Sequence, residues 1–260
     1  MGGAKDVGEE AGEGGVWPAP SERFRVYTKT GDGGDASLYN GERQPKDAAV
    51  FHALGDVDEL NSAVGVARQA VRDVLERCAA GPPADREEAA GPWRMDEASR
   101  ETLARLGRRL AGVQSRLLDV GSAIATPLVE GDERDVSGKA ARARFILSSG
   151  RLARLERFMD EMDDLLPPLS SFILPSGGFA SCFLHVARAT CRRAERACVP
   201  LSRDGRLEES CSVYLNRLSD LLFVAARFCA QCEGEPEVCY RKARGPGAQD
   251  AETDESGEDE

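Results

Sequence analysis

The stretch Leu103 to Ile124 reads LARLGRRLAGVQSRLLDVGSAI, and its apolar residues recur at alternating steps of three and four. This spacing places them on one side of an α-helix, which turns by about 100° per residue. The residues of this stripe are Leu103, Leu106, Leu110, Val113, Leu117, Val120 and Ile124. The stretch therefore predicts a long amphipathic helix with one narrow apolar face.

Four other stretches, residues 50–71, 152–166, 184–198 and 211–229, carry the same spacing, and proline or glycine separates most of them. Narrow stripes of this kind pack at about +20°, which is the geometry of up-and-down bundles. We therefore predict an all-α fold, an up-and-down five-helix bundle over residues 25–240. The Gly-, Pro- and Glu-rich segment 1–24 and the acidic segment 241–260 bury little, so both are expected to be disordered.

The composition excludes several classes of protein. The 260 residues carry a net charge of −11, which argues against non-specific binding of nucleic acid. We see no apolar run of the roughly 18–20 residues that a membrane span needs, and no signal or transit peptide. The sequence therefore indicates a cytoplasmic protein without a membrane partner. Its eight cysteines fall mostly on helical apolar positions, which favours buried free thiols, and with two histidines we expect no protein metal site.

The segment 188–196, RATCRRAER, concentrates positive charge in this acidic chain. On a helix, Arg188, Arg192, Glu195 and Arg196 share about one quadrant, and Arg193 lies to one side. Like charges at this spacing repel one another, whereas a polyphosphate would bind them strongly. Two interpretations stay open at this point, an anion site and a solvated helix face.

Two loops add further candidate residues. The segment 27–34, YTKTGDGG, offers backbone N–H groups, hydroxyls and an ammonium for phosphate oxygens, although it is also a plausible plain turn. It lacks the P-loop spacing. The segment 172–178, FILPSGG, brings the aromatic Phe172 close to the arginine helix, either beside a ligand or as a cap on the bundle. Asn216 and Asp220 add polar groups on the last helix, and Asp58 is a candidate partner for an arginine.

Seven strings in this order closely resemble the ATP:cob(I)alamin adenosyltransferases of the propanediol-utilisation type, which include the human mitochondrial enzyme. The strings are YTKTGDGG, GERQPKD, VDELNSAVG, LLDVGSAIATP, FILPSGG, RATCRRAER and YLNRLSDLLF. The resemblance spans about residues 25–240. It implies a homotrimer with active sites between subunits. It also implies transfer of the adenosyl group of ATP to the cobalt of cob(I)alamin, which gives adenosylcobalamin and triphosphate.

The resemblance also implies roles for individual residues. The ATP-binding residues of one subunit would be Thr28, Lys29, Thr30, Gly31, Ser37 and Lys46. Those of its neighbour would be Arg192, Arg193, Glu195, Arg196 and Asn216. Asp58 and Arg188 would form an ion pair across the interface, Phe172 would lie under the corrin ring, and Asp220 would also contact the corrinoid. Arg192, Phe172, Asp58 and Arg188 are the expected catalytic residues.

ATP and cob(I)alamin are the expected substrates, and Mg²⁺ is expected to arrive on the ATP phosphates. A reductase and an adenosylcobalamin-dependent mutase are further expected partners, and the resemblance makes the mitochondrial matrix the alternative compartment. Two other functions stay open: a carrier that delivers finished adenosylcobalamin to a mutase without making it, and a purely structural helical trimer.

Overall fold

A computed structural model of the chain describes residues 27, 29–82, 91, 94–128 and 143–242. Two short strands, β1 (Asp35–Ser37) and β2 (Arg43–Pro45), precede α1 (Ala49–Ala80) and α2 (Glu97–Ile124). They are followed by α3 (Ser149–Asp163), α4 (Gly178–Arg203) and α5 (Glu209–Glu233). The five predicted helices are therefore confirmed. The expected disordered segments 1–24 and 241–260 lie outside the described residues, except for 241 and 242.

The strands are a correction to the all-α prediction. They pair antiparallel with Asp35 opposite Pro45 and Ser37 opposite Arg43. The connecting loop closes through a hydrogen bond from the Leu38 N–H to the Glu42 carbonyl at 2.7 Å. Strands of three residues are too short to show an alternating apolar pattern. The signal for this hairpin was the Asn40-Gly41 pair in the loop, where Gly41 has a φ of 91°.

The helix ends follow local side-chain chemistry. Asp96 precedes α2, and its carboxylate accepts a hydrogen bond from the Ser99 N–H at 2.7 Å, which lowers the pKa of Asp96. Ser148 caps α3 in the same way through the Arg151 N–H. The C-terminal end of α5 lies at Gly234, whose φ of 71° is in the left-handed region that favours glycine.

The helices run alternately up and down. Arg68 of α1 pairs with Gln114 of α2, and Arg105 of α2 pairs with Glu161 of α3, which sets these neighbours antiparallel. Helix α4 packs between α1 and α5, and α5 also contacts α3 and α2. The predicted stripe of α2 is buried throughout, at 5% exposure or less.

Helix α5 does not have the narrow apolar face that the spacing predicted. It packs against α4 on one side and α3 on another, so it is buried around most of its circumference. Two charged residues are buried with it, Arg227 and Glu233. Arg227 donates to the Pro167 carbonyl at 2.9 Å and pairs with Glu237, which explains how its charge is accommodated.

Helix α3 is a second difference. Its most deeply buried side chains are Phe158 and Met162, of which Met162 belongs to the predicted stripe. The stripe residues Leu155 and Met159 are only partly buried against the core. Phe158 lay outside the predicted stripe. Its side chain belongs to the hydrophobic core, and Arg105 and Arg109 of α2 lie over its ring, 5.1 and 4.2 Å from the centroid.

The predicted burial of the helical cysteines is confirmed. These thiols are free and buried, and they are Cys191, Cys198, Cys211, Cys229 and Cys232. Burial raises the pKa of Cys198 and of Cys232 to about 12, so both remain protonated and unreactive. None of the helices in the described part of the chain is long and apolar enough to cross a membrane.

Candidate functional site

Three arginines on α4 form the first part of the candidate site. Arg192 and Arg196 are exposed, Arg188 is half-buried, and none of the three makes an ion pair with a described residue. Glu195 lies among them and accepts a hydrogen bond from the Asn216 amide of α5 at 2.9 Å. The structure therefore brings together four predicted site residues of α4 and one of α5, and the described residues offer the three arginines no acidic partner.

Arg193 lies to one side of this group and faces α1. Its guanidinium donates to Asp56 at 2.9 Å and also pairs with Glu59, both on α1. The hydrogen bonds to Glu59 and Asp56 raise the pKa of Arg193. The structure thus ties Arg193 to α1, and its predicted contact with phosphate stays a prediction.

Two residues beside Arg188 were missed in the sequence. His185 is 4% exposed, its Nδ1 has no partner among the described residues, and its ring lies edge-on to Phe223 with the centroids 6.1 Å apart. Burial and then the nearby Arg188 lower the pKa of His185 to about 4, so the ring is neutral at neutral pH. The Arg188 guanidinium lies 5.9 Å from the Phe223 centroid, and its Nε is also buried, with no hydrogen-bond partner among the residues that the structure describes.

The hairpin and the loop before it form the second part of the site. Arg43 donates to the Thr30 carbonyl at 3.2 Å and to the Ser37 hydroxyl at 3.5 Å, which links the loop to the first strand. A Cβ added at Gly31 would lie 3.1 Å from the Lys46 ammonium, so that loop and lysine are neighbours. Lys29 has a φ of 59°, and Thr28 lies outside the described residues. Arg43 thus connects the loop with both strands, a role that the sequence analysis missed.

The Phe172 segment is held at the backbone but leaves its aromatic ring free. The Phe172 side chain is 82% exposed, while its carbonyl accepts from the Tyr240 N–H at 2.7 Å. The Leu174 N–H donates to the Val238 carbonyl, and the Ser176 hydroxyl accepts from the Val238 N–H. The chain after α5 therefore fixes the path of this segment and presents the ring outwards.

A buried carboxylate anchors the junction of this segment with α4. Glu233, whose side chain is 3% exposed, accepts from the Ala180 N–H at 3.0 Å and pairs with Arg77 of α1 at 2.7 Å. An anion at a helix N-terminus is favourable because the first N–H groups are unpaired. Gly177 and Gly178 have φ angles of 88° and 90°. A Cβ added at Gly177 would lie 2.3 Å from the Ala230 Cβ, and one added at Gly178 would lie 2.5 Å from the Glu233 carboxylate. The double glycine in the sequence was the signal for this close contact.

Asp58 lies apart from the arginines of α4. It lines a cavity of about 410 Å³ between α1, α2 and the hairpin, together with Tyr39 and Asn61. The Asn61 Oδ1 is buried and, among the described residues, has no partner. No ion pair joins Asp58 to Arg188 in the described part of this chain.

Asp220, the other predicted corrinoid contact, pairs with Arg217 of the same helix at 2.8 Å.

The hairpin is attached to the C-terminal end of α2, because the Tyr39 N–H donates a hydrogen bond to the Ala125 carbonyl. Among the described residues, no hydrogen bond or ion pair links Lys29 or Lys46 to α4. In the described part of the chain, the residues of the hairpin and its loop are therefore not bonded to the arginine group of α4.

Comparison with known proteins gives consistent matches over this region. Residues 26–229 match the family described as Cobalamin adenosyltransferase. The chain is 39% identical over 239 residues to Corrinoid adenosyltransferase MMAB of Mus musculus, which covers 90% of this chain and 86% of the mouse protein. It is 31% identical over 220 residues to the cobalamin adenosyltransferase of Cupriavidus metallidurans, which covers 85% of this chain and 96% of that protein.

Solved structures match as well. A phenylalanine-to-alanine variant of a PduO-type ATP:corrinoid adenosyltransferase from Lactobacillus reuteri, complexed with cobalamin and ATP, superimposes with a TM-score of 0.64 at 29% identity. The match covers 84% of this chain and 100% of that one. The resemblance carried by the seven strings is therefore confirmed, and the chain belongs to the cobalamin adenosyltransferase family of enzymes.

Proposed function

We propose that this protein transfers the 5′-deoxyadenosyl group of ATP to the cobalt of a corrinoid reduced to cobalt(I), releasing triphosphate. Membership of the family supports this reaction, as do the relatives named corrinoid adenosyltransferases and the neighbour that holds both cobalamin and ATP. The proposal then depends on whether the chain's own residues suit the two substrates.

The observation that carries the proposal is the set of unpaired cations on α4. Arg188, Arg192 and Arg196 have no acidic partner among the described residues, although the chain as a whole carries a net charge of −11. Hydrogen bonds from guanidinium to phosphate contribute about 1.5–3 kcal/mol each, which exceeds the repulsion of a few tenths of a kcal/mol between neighbouring arginines. A triphosphate therefore suits this surface, and the Glu195 carboxylate with the Asn216 amide is available for the nucleoside.

The second wall of the site comes from another copy of the chain in this proposal. Lys29, Thr30, Gly31, Ser37 and Lys46, with Thr28, would hold the same phosphates from a neighbouring subunit of a homotrimer. The separation of the two groups within one chain supports this arrangement.

The residues fit a reaction that needs no protein base. Cobalt(I) is itself the nucleophile: a bond forms between cobalt and the 5′ carbon of ATP while the bond from that carbon to the triphosphate oxygen breaks. The protein then has to align the two substrates and stabilise the charge that grows on the triphosphate. Arg192 with its neighbours supplies the cationic groups, and Asp58 paired with Arg188 would fix the geometry between subunits.

Phe172 and Asp220 are the proposed corrinoid contacts. An exposed aromatic ring on a segment fixed by backbone hydrogen bonds suits the lower face of a corrin, where it would exclude axial ligands from cobalt. Loss of an axial ligand makes the cobalt(II) form easier to reduce, because an electron donor has been removed. A polar side chain at this position would itself ligate the metal or admit water.

The residues fit a Mg²⁺ ion that arrives with the nucleotide. Mg²⁺ usually keeps several waters and binds substrate phosphates with at most one or two carboxylates, so the ATP phosphates would supply its ligands while Glu195 stays with the nucleoside. No group of three or more His, Cys, Asp or Glu side chains that could hold a metal occurs in the described ranges. When bound, Mg²⁺ would add positive charge against the phosphates. The reductase, the mutase and the compartment stay predictions.

The test is an anaerobic assay with ATP, Mg²⁺ and chemically reduced cobalamin, followed by the light-sensitive absorption spectrum of adenosylcobalamin. We expect conversion by the wild type and, since one charged hydrogen bond is lost, a decrease of at least tenfold in kcat/KM for Arg192→Gln. Arg157→Gln, an exposed arginine of α3 without an ion pair to the described residues, is the matched control and should not change the rate.

Absence of conversion by a folded trimeric sample would refute the proposal. A protein that binds adenosylcobalamin but neither binds nor consumes ATP would instead be a carrier. Sedimentation tests the trimer separately, and a monomer at assay concentrations would refute a site shared between subunits.

A further inference from the structure

A cavity on the other side of the molecule has no role in the proposed reaction. It has a volume of about 370 Å³ and lies between α2, the segment 143–148, α3 and α5. The size falls within the range of pockets for small molecules, about 300–1,000 Å³. The candidate site residues lie on α4, α1, the hairpin and other positions of α5, and none of them lines this cavity.

The floor of this cavity is apolar. Aromatic and aliphatic side chains from three helices and the connecting segment form it, and they include Phe145, Leu152, Leu155, Phe158, Tyr214 and Leu221. Phe145 and Tyr214 lie with their rings 5.4 Å apart at an angle of 53°. Ile146 also lines the cavity and is 75% exposed, so an apolar surface continues to the cavity mouth. Such a floor favours the hydrocarbon part of a ligand.

Four arginines line the same cavity, and no carboxylate does. Arg116 is neutralised by Asp119 at 2.9 Å. Arg109, Arg151 and Arg154 make no ion pair with any residue in the described ranges. Arg109 lies 4.2 Å over the Phe158 ring, and burial followed by the charge of Arg105 lowers its pKa. Three cations of one sign around a partly buried space repel one another, so an anion at this place would be stabilising.

We propose that this cavity binds an organic anion with an aliphatic chain and a terminal carboxylate or phosphate. The chain would lie on the apolar floor, and Arg109 and Arg154 would hold the anionic group. An inorganic anion would leave the apolar floor exposed to water, and a neutral hydrocarbon would leave the arginines without a counter-charge. Only a ligand with both parts satisfies both surfaces.

The experiment is calorimetric titration of the full chain with decanoate, which has ten carbons and one carboxylate. We expect saturable binding at one site per chain and binding at least tenfold weaker for decanol and for decyltrimethylammonium. Decyl phosphate distinguishes the two head groups, because a phosphate site binds it more tightly than decanoate. Inorganic phosphate alone should bind weakly or not at all.

Two kinds of variant test the two surfaces. Arg154→Gln and Arg109→Gln should each weaken decanoate binding about tenfold, and Ile146→Ser should weaken it several-fold. Arg157→Gln, one turn further along α3 and outside the cavity, should bind as the wild type does. Because Arg154 and Ile146 are exposed, these variants are expected to fold, and circular dichroism checks this.

Three results would overturn the proposal. The first is the lack of saturable binding of decanoate and decyl phosphate at millimolar concentrations. The second is equal affinity for decanol and decanoate, which would mean an apolar site without charge recognition. The third is an affinity that Arg109→Gln and Arg154→Gln leave unchanged. None of these results bears on adenosyl transfer, because the ligand and the residues differ.

Discussion

We predict that removing Arg77 or removing Glu233 from their ion pair has unequal effects on the free energy of unfolding. The Glu233 side chain is 3% exposed, whereas that of Arg77 is 51% exposed. Arg77→Met removes the counter-charge but leaves a carboxylate buried with the Ala180 N–H as its remaining hydrogen-bond partner among the described residues. Glu233→Gln leaves a guanidinium that turns into solvent, and the glutamine oxygen still accepts from Ala180. The loss of the exposed partner should therefore cost more than the loss of the buried one.

The magnitudes follow from what each variant leaves unpaired. An uncompensated buried charge costs about 3–5 kcal/mol, and the half-exposed position of Arg77 reduces this to about 2–3 kcal/mol, because water reaches the vacated space. Glu233→Gln loses one charged hydrogen bond that competes with water, about 1 kcal/mol. The predicted difference in the free energy of unfolding is thus about 1–2 kcal/mol, with Arg77→Met the less stable variant.

Urea denaturation followed by circular dichroism measures both variants against the wild type, and amide exchange at Ala180 reports the helix end directly. Arg72→Met is the matched control, because Arg72 pairs with Glu76 on the same helix with side chains 69% and 60% exposed. Such an exposed pair should contribute less than about 0.5 kcal/mol. Equal losses for Arg77→Met and Glu233→Gln, or a larger loss for the glutamine variant, would refute the reasoning.

Two further predictions concern a buried histidine and a glycine. The low pKa of His185, about 4, means that between pH 6.5 and 4 the unfolded chain binds a proton and the folded chain does not, so stability falls by about 3 kcal/mol as the pH is lowered. In urea titrations at several pH values, the stability of the His185→Gln variant should depend less on pH than that of the wild type. An equally strong pH dependence in this variant would contradict the prediction. His52→Gln, at the exposed histidine, is the control. Gly178→Ala should cost about 2–4 kcal/mol in thermal or urea unfolding, because its φ is +90° and the added Cβ would meet the Glu233 carboxylate. Gly55→Ala, in helix α1 with no atom within 4 Å of the added Cβ, should instead be neutral or stabilising by up to about 1 kcal/mol, and a similar loss at both positions would count against the argument.

The five helices could be predicted from the sequence because an apolar stripe is a local property. In α2 every residue of the predicted stripe is buried, and the cap at Asp96 follows from the same few residues. The burial of charged residues in helix α5 could not be predicted in this way. Its buried Arg227 and Glu233 look like solvent positions, and they are tolerated only because Pro167, Glu237 and Arg77 supply partners from other segments.

The candidate site was predictable to a similar extent. The shared face of Arg188, Arg192 and Arg196 follows from helical spacing, whereas the pairing of Arg193 required Asp56, 137 residues away along the chain. The burial of His185 was hidden as well, because Phe223 covers it from α5. Local spacing therefore predicts which face of a helix a charge occupies, but the neighbouring helix decides whether that charge is neutralised.

The acidic residues of α1 bear on the proposed site between subunits. Asp56 and Glu59 are three positions apart and face α4, where both pair with Arg193. Asp58 points instead towards α2 and the hairpin cavity, away from the unpaired Arg188. Helix α1 cannot turn Asp58 towards α4 without losing the two pairs of Arg193. In the proposed homotrimer, contact with a second copy would let Asp58 and Arg188 neutralise each other while the two pairs of Arg193 within the chain are kept.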